Sequence, residues 1–101
     1  MDRALAALTA RLGPLRERRI AIYHLDEIAV TARALSAAWA RAAPADLIAQ
    51  LAAHPAGEQL LAPAVECDAE GVVLRVLAPE AVCRAFDDEA GHLDSHTEFG
   101  R

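Results

Sequence analysis

Hydrophobic residues along the chain fall into two rhythms, a three-to-four spacing over most of its length and an alternation near residues 64–77. The stretch DRALAALTARL places leucines at 5, 8 and 12 and stops at Gly13-Pro14, which predicts a first helix over about 2–12. Beyond it, Leu15, Ile22, Leu25, Ile28 and Leu35 lie on one helical stripe, while Ile20, Ile22 and His24 alternate as in a strand. No glycine, proline or asparagine separates Ile22 from Ile28, so the spacing predicts one long helix from about 15 to 42, firmest where Ile28, Ala32, Leu35, Trp39 and Ala42 recur.

Pro44 breaks that helix, and Asp46 then opens a short third one, about 45–53, carrying Leu47, Ile48 and Leu51 and ended by Pro55. GEQLLA adds a further turn. The rhythm then changes: Val65 and Cys67 alternate with Glu66 and Asp68, DAEG supplies a turn in which Gly71 is free to take positive φ, and Val72 to Leu77 form the return strand of a β-hairpin. Pro79 suits the first turn of a final helix, PEAVCRAFDDEA, with Val82, Ala85 and Phe86 inward and Gly91 as its stop. The expected fold is therefore a small, mostly helical α+β domain in the order ααα-ββ-α, a single globular unit over 1–91 with a flexible tail over 92–101. That order is loosely similar, in topology alone, to a winged-helix DNA-binding domain.

Composition narrows the range of functions. The 101 residues are 54% hydrophobic but only 4% aromatic, and about a quarter are alanine, so the core is built of small and branched aliphatic groups. Little bulk per residue makes a lone subunit marginal and favours burial against a second copy, with alanines 37, 38, 40 and 42 offering a smooth face and Trp39 an anchor. No apolar run is long enough to cross a membrane, and Asp2, Arg3 and Arg11 interrupt any signal-peptide core, which predicts a cytoplasmic protein. Cys67 and Cys83 form no CxxC and sit among apolar residues, so both are expected as buried thiols.

Every positive charge is an arginine, and charge is divided along the chain: residues 1–50 carry seven Arg against five acids, residues 51–101 three Arg against ten. Such polarity suits head-to-tail association or a basic partner. Nucleic acid is not expected as a direct ligand: the third helix, ADLIAQLAA, holds Asp46 and Gln50 and no arginine, and the hairpin's Glu66, Asp68 and Glu70 would repel phosphate. The arginines of RERR, 16–19, are expected on a solvated face. The run Asp87-Asp88-Glu89 lies near a helix C-terminus, where the dipole disfavours it, and is a candidate contact for a basic protein or an imitation of nucleic-acid phosphates.

Candidate chemistry is sparse. His92 and His96 of HLDSH are spaced to share a helix face as metal ligands do, though Leu93 stands where a zinc protease would have its glutamate. YHLDE, 23–27, gathers Tyr23, His24, Asp26 and Glu27, and on a helix His24 and Glu27 could touch. Neither serine nor cysteine has an evident activating base, and none of the five glycines sits in a phosphate-binding loop. No cofactor is expected. The first expectation is a non-enzymatic regulatory or accessory protein that binds a protein partner and forms a homodimer, with Trp39, Asp87, Asp88 and Glu89 as contacts. An acidic inhibitor of a nucleic-acid enzyme and a metal-binding protein using His92 and His96 are the alternatives.

Overall fold

A computed structural model describes residues 3–55 and 57–97, with residues 4 and 91–97 as backbone only. The elements run α1 (Arg3–Leu12), β1 (Leu15–Ile22), α2 (Asp26–Ala42), α3 (Ala45–Ala52), α4 (Glu58–Leu61), β2 (Ala64–Asp68), β3 (Gly71–Pro79) and α5 (Glu80–Thr97). This is a small α+β domain with a three-stranded antiparallel sheet in the order β1-β3-β2. Since β1 and β2 are each antiparallel to β3, they run parallel to one another with β3 between them, and α2, α3 and α4 make the crossover.

The hairpin forms where its alternation and turn residues place it. Asp68 Oδ1 accepts from the backbone N–H of Glu70 at 2.8 Å and of Gly71 at 3.1 Å, and Gly71 takes φ +133°, a conformation that side-chain-bearing residues rarely adopt. Pro79 ends β3 instead of lying within the closing helix, and its missing N–H costs no ladder bond because Glu80 N–H turns to the Pro14 carbonyl on the β1 side, which leaves the Pro79 nitrogen on the side where β2 has already ended at Ala64↔Arg75.

The expected long helix over 15–42 is corrected: residues 15–22 are strand β1, paired with β3 from Leu15↔Pro79 to Ile22↔Val72. The break between strand and helix is made without glycine or proline. Glu27 Oε1 accepts from the backbone N–H of Tyr23 at 3.2 Å and of His24 at 2.8 Å, turning the chain into the first turn of α2. At the other end, Gly91 does not stop the closing helix, whose backbone continues to Thr97.

On the helix-facing side of the sheet, Ile20 and Ile22 of β1 and Leu74, Val76 and Ala78 of β3 are buried against Leu35, Ala38, Val82 and Phe86. Cys83 lies in this layer with no exposure, its Sγ 3.3 Å from the Ala78 carbonyl oxygen and 3.6 Å from that of Arg16. Cys67, expected to be buried, is exposed on β2. Val65 on the same edge strand is also exposed, so alternation there marks pairing without burial. Trp39, 2% exposed, donates its indole Nε1–H to the Leu60 carbonyl at 2.9 Å and ties α2 to α4.

Candidate functional site: the α2 groove and the free edge of the sheet

Three surfaces carry what chemistry the described residues offer. The first is a groove of about 290 Å³ lined by Ser36, Trp39 and Ala40 of α2, Ile48 of α3 and Leu61 of α4. Its form follows from residue size. Ser36 and Ala40 stand on the exposed stripe of α2, together with Ala29 and Arg33, and are too short to fill the space between α2 and the α3–α4 segment. Trp39 also lines it, its ring held by the Leu60 hydrogen bond. Of the two polar side-chain atoms among its lining residues, Trp39 Nε1 is bonded to the Leu60 carbonyl and only Ser36 Oγ remains, so the groove suits an apolar side chain and offers little to a charged or phosphorylated ligand.

The second is the acidic run. Asp87 receives a forked hydrogen bond from Arg18 of β1, with Nε at 2.9 Å from Oδ1 and Nη2 at 2.8 Å from Oδ2. Arg41 of α2 donates to Asp88 at 3.0 Å and to Glu89 at 3.1 Å. These bonds raise both guanidinium pKa values above the ordinary arginine value. The three carboxylates predicted as a contact for a basic partner are thus each answered within the subunit, and because α5 continues to Thr97 they lie in the middle of that helix, not near its C-terminus as expected, opposite cations on two neighbouring elements.

The third is the outer face of the sheet and the edge of β1. Arg19 approaches Glu17 at 3.6 Å and Glu66 at 3.3 Å, and Arg75 approaches Glu17 at 3.6 Å and Glu66 at 3.4 Å, which closes a ring of two arginines and two glutamates across all three strands. RERR is therefore split by the strand's alternation: Arg18 faces the helices and Arg19 the outer surface. Beyond β1 no further strand pairs among the described residues, so its outer edge is open over eight residues.

Of the remaining candidates, His24 and Tyr23 are exposed, and Glu27 holds the His24 backbone and not its imidazole, so YHLDE makes a helix start. Burial pushes the Cys83 thiol up, which leaves it protonated and unreactive at neutral pH. Among the described residues no group of three or more His, Cys, Asp and Glu side chains could hold a metal ion. The side chains of His92 and His96 lie outside the described residues, although the backbone at both positions is helical. No helix among the described residues is long and apolar enough to cross a membrane.

Trp39 was legible in the sequence as an apolar contact, but the structure places nearly all of it inside the subunit, where it lines the groove. Ile48 and Leu61, which complete that groove, look like ordinary core positions in sequence. No protein family, curated protein or solved structure matches the chain.

Proposed function

We propose that the chain is a cytoplasmic, non-enzymatic regulatory or accessory protein that acts by binding another protein and that also self-associates. The observation that supports the binding role is the α2 groove: an apolar slot with small residues and a fixed aromatic ring in its lining, the form that receives an apolar side chain or one face of a partner helix. Of the alanines expected to form a smooth docking surface, Ala40 is exposed, Ala37 and Ala42 are half-buried and Ala38 is buried with Trp39, so the docking surface is narrower than expected. Only the exposed stripe of α2 is open to a partner, because Ala34, Leu35, Ala38 and Trp39 on its inner side are buried.

The test is a comparison of the wild type with Ala40→Arg. Ala40 is exposed on α2, so the substitution leaves the core intact and projects a long charged side chain across the groove. Proteins captured from an extract of the native host by the wild type should be lost with the variant. Calorimetric titration of the purified partner should then show at least tenfold weaker binding, about 1.4 kcal/mol or more. A partner bound equally well by both proteins would move the binding site away from the groove.

A further inference from the structure

The free edge of β1 lacks the proline and the bulge by which many sheet proteins keep their edges from pairing, and its half-buried inward charge, Arg18, is neutralised by Asp87. Natural edges are blunted by prolines, bulges, inward charges or lysines aimed at solvent. β1 pairs all eight of its residues with β3 without interruption, and LRERRIAI contains neither proline nor lysine. Three of its four charged side chains are engaged on the two faces, Arg18 by Asp87 on the helix side and Glu17 and Arg19 by the ring with Arg75 and Glu66 on the outer side, while Arg16 near its start is exposed. Leu15 is exposed at one end of the strand, and Tyr23 just past the other.

We propose that two copies of the chain join edge to edge through β1, in antiparallel register centred on Arg18, to form a continuous six-stranded sheet. The proposal deepens the self-association part of the function given above and rests on it. Charge selects the register. A twofold axis between two β1 strands must stand perpendicular to the sheet, so residues directly opposite share a face and the axis passes beside a like residue of each copy. Centring on Glu17 sets Glu17 against Glu17 and Arg16 against Arg18. Centring on Arg19 sets Arg19 against Arg19. Centring on Arg18 sets Glu17 against the second copy's Arg19, Arg16 against Ile20 and Leu15 against Ala21, each twice, so no like charges other than the central Arg18 pair stand opposite.

In that register the outer-face ring of alternating arginine and glutamate runs on from one copy into the next. The residue that meets its own image, Arg18, is already neutralised by Asp87 through a forked bond. The outward backbone N–H groups of one β1 gain partners, the Glu17 carbonyl adding a second donor to the Arg18 Nη1 from which it already accepts at 3.2 Å, and the interface is isologous and closes at two copies. The exposed side of α2 takes no part, so the dimer leaves the groove open.

The experiment uses the full chain and two charge reversals, Glu17→Arg and Arg19→Glu, followed by sedimentation velocity and native mass spectrometry. The wild type should be a dimer at tens of micromolar. Each variant alone sets like charges across the interface and should shift at least tenfold towards monomer. Mixed one to one, they set the two arginines of one copy against the two glutamates of the other at positions 17 and 19, and should recover a heterodimer containing one of each. Recovery on mixing is the result that a merely structural role of either residue does not produce. Hydrogen exchange on the wild type supplies a second readout should a variant fold poorly: amides of residues 15–22 should gain protection with concentration.

A wild type that is monomeric at all concentrations would overturn both the register and the self-association reading. A dimer indifferent to both reversals, with no gain of protection in β1, would overturn the edge alone and leave self-association standing through another surface. Protection of β1 that appears only when a foreign partner is added would assign the edge to a peptide of that partner and equally refute pairing between copies.

Discussion

Replacing Trp39 by phenylalanine tests whether one hydrogen bond fastens the helical crossover to the rest of the domain. The indole Nε1–H is the donor to the Leu60 carbonyl, 21 residues away, at 2.9 Å in a buried setting. Phenylalanine fits the same space but brings no donor. The Leu60 carbonyl is then left unsatisfied, at a cost of about 1–3 kcal/mol. Loss of the second ring leaves a partial cavity that adds about 1 kcal/mol, since full removal of a tryptophan side chain costs about 3–5 kcal/mol. The expected loss is about 2–4 kcal/mol, from a total stability of about 5–15 kcal/mol for a domain of this length. Melting should fall by about 8–32 °C at 4–8 °C per kcal/mol. Urea unfolding must be followed by far-UV circular dichroism, because the variant has lost the protein's single tryptophan. A change below about 0.5 kcal/mol would refute the reasoning, because it would mean that α4 is held without this bond.

Other outcomes follow from the same structure. The two thiols should separate kinetically: exposed Cys67 should react promptly with an alkylating reagent, and Cys83, with no exposure, only as fast as the fold opens. Burial raises the Cys83 pKa above the unfolded value of about 8.5, so the unfolded chain gives up this proton first. Cys83's contribution to stability should be whole below pH about 8.5 and be lost as pH rises towards the folded pKa, an effect that Cys83→Ala should remove from a pH series of urea melts. Gly57→Ala would set a Cβ into the Leu51 carbonyl group, which forces the α3–α4 connection to move and should cost about 3 kcal/mol or more. Gly71→Ala meets no atom within 4 Å, but its φ of +133° is strained for alanine, and the loss should be about 1–3 kcal/mol. Arg18→Ala should cost no more than about 1 kcal/mol, because the Arg18–Asp87 pair is 37% and 48% exposed, and half a molar salt should shrink the difference.

Much of the fold was legible in the sequence, and where it was not the reasons are specific. The hairpin was marked by DAEG and by alternation, the first helix by its leucines and Gly13-Pro14, the short third helix by its flanking prolines. β1 was hidden because its first half alternates charge with charge. Arg18, the helix-facing residue, reaches Asp87 where an apolar residue would have shown the period of two. The stripe through Leu15, Ile22, Leu25 and Ile28 then matched a helix by accident of spacing. The signal that ends the strand, Glu27 accepting from the backbone of Tyr23 and His24, was present in YHLDE but resembled candidate chemistry more than a helix start. The groove was half legible: Trp39 and the small residues of α2 lie within one periodic segment, whereas Ile48 and Leu61 join them only through the tertiary fold.

Charge polarity along the chain has a different meaning once the chain is folded. The basic first half and acidic second half suggest a molecule with two ends, yet Arg18 meets Asp87, Arg41 meets Asp88 and Glu89, Arg19 meets Glu66, and Arg75 returns to Glu17. Each pair joins one half of the sequence to the other, so the segregation that looked like an external field is largely consumed in closing the domain. Several of the remaining acids have local work as well: Asp26, Asp46, Glu58 and Glu80 stand in the first turns of α2, α3, α4 and α5, where the helix dipole favours them, and Asp68 closes the hairpin turn. Each exposed pair contributes little by itself. Their collective consequence is geometric, because they hold β1 to α5 and β1 to β2 with Glu17, Arg18 and Arg19 turned to the two faces of the sheet, which leaves Arg16 as the charge of β1 that no intramolecular ion pair engages among the described residues.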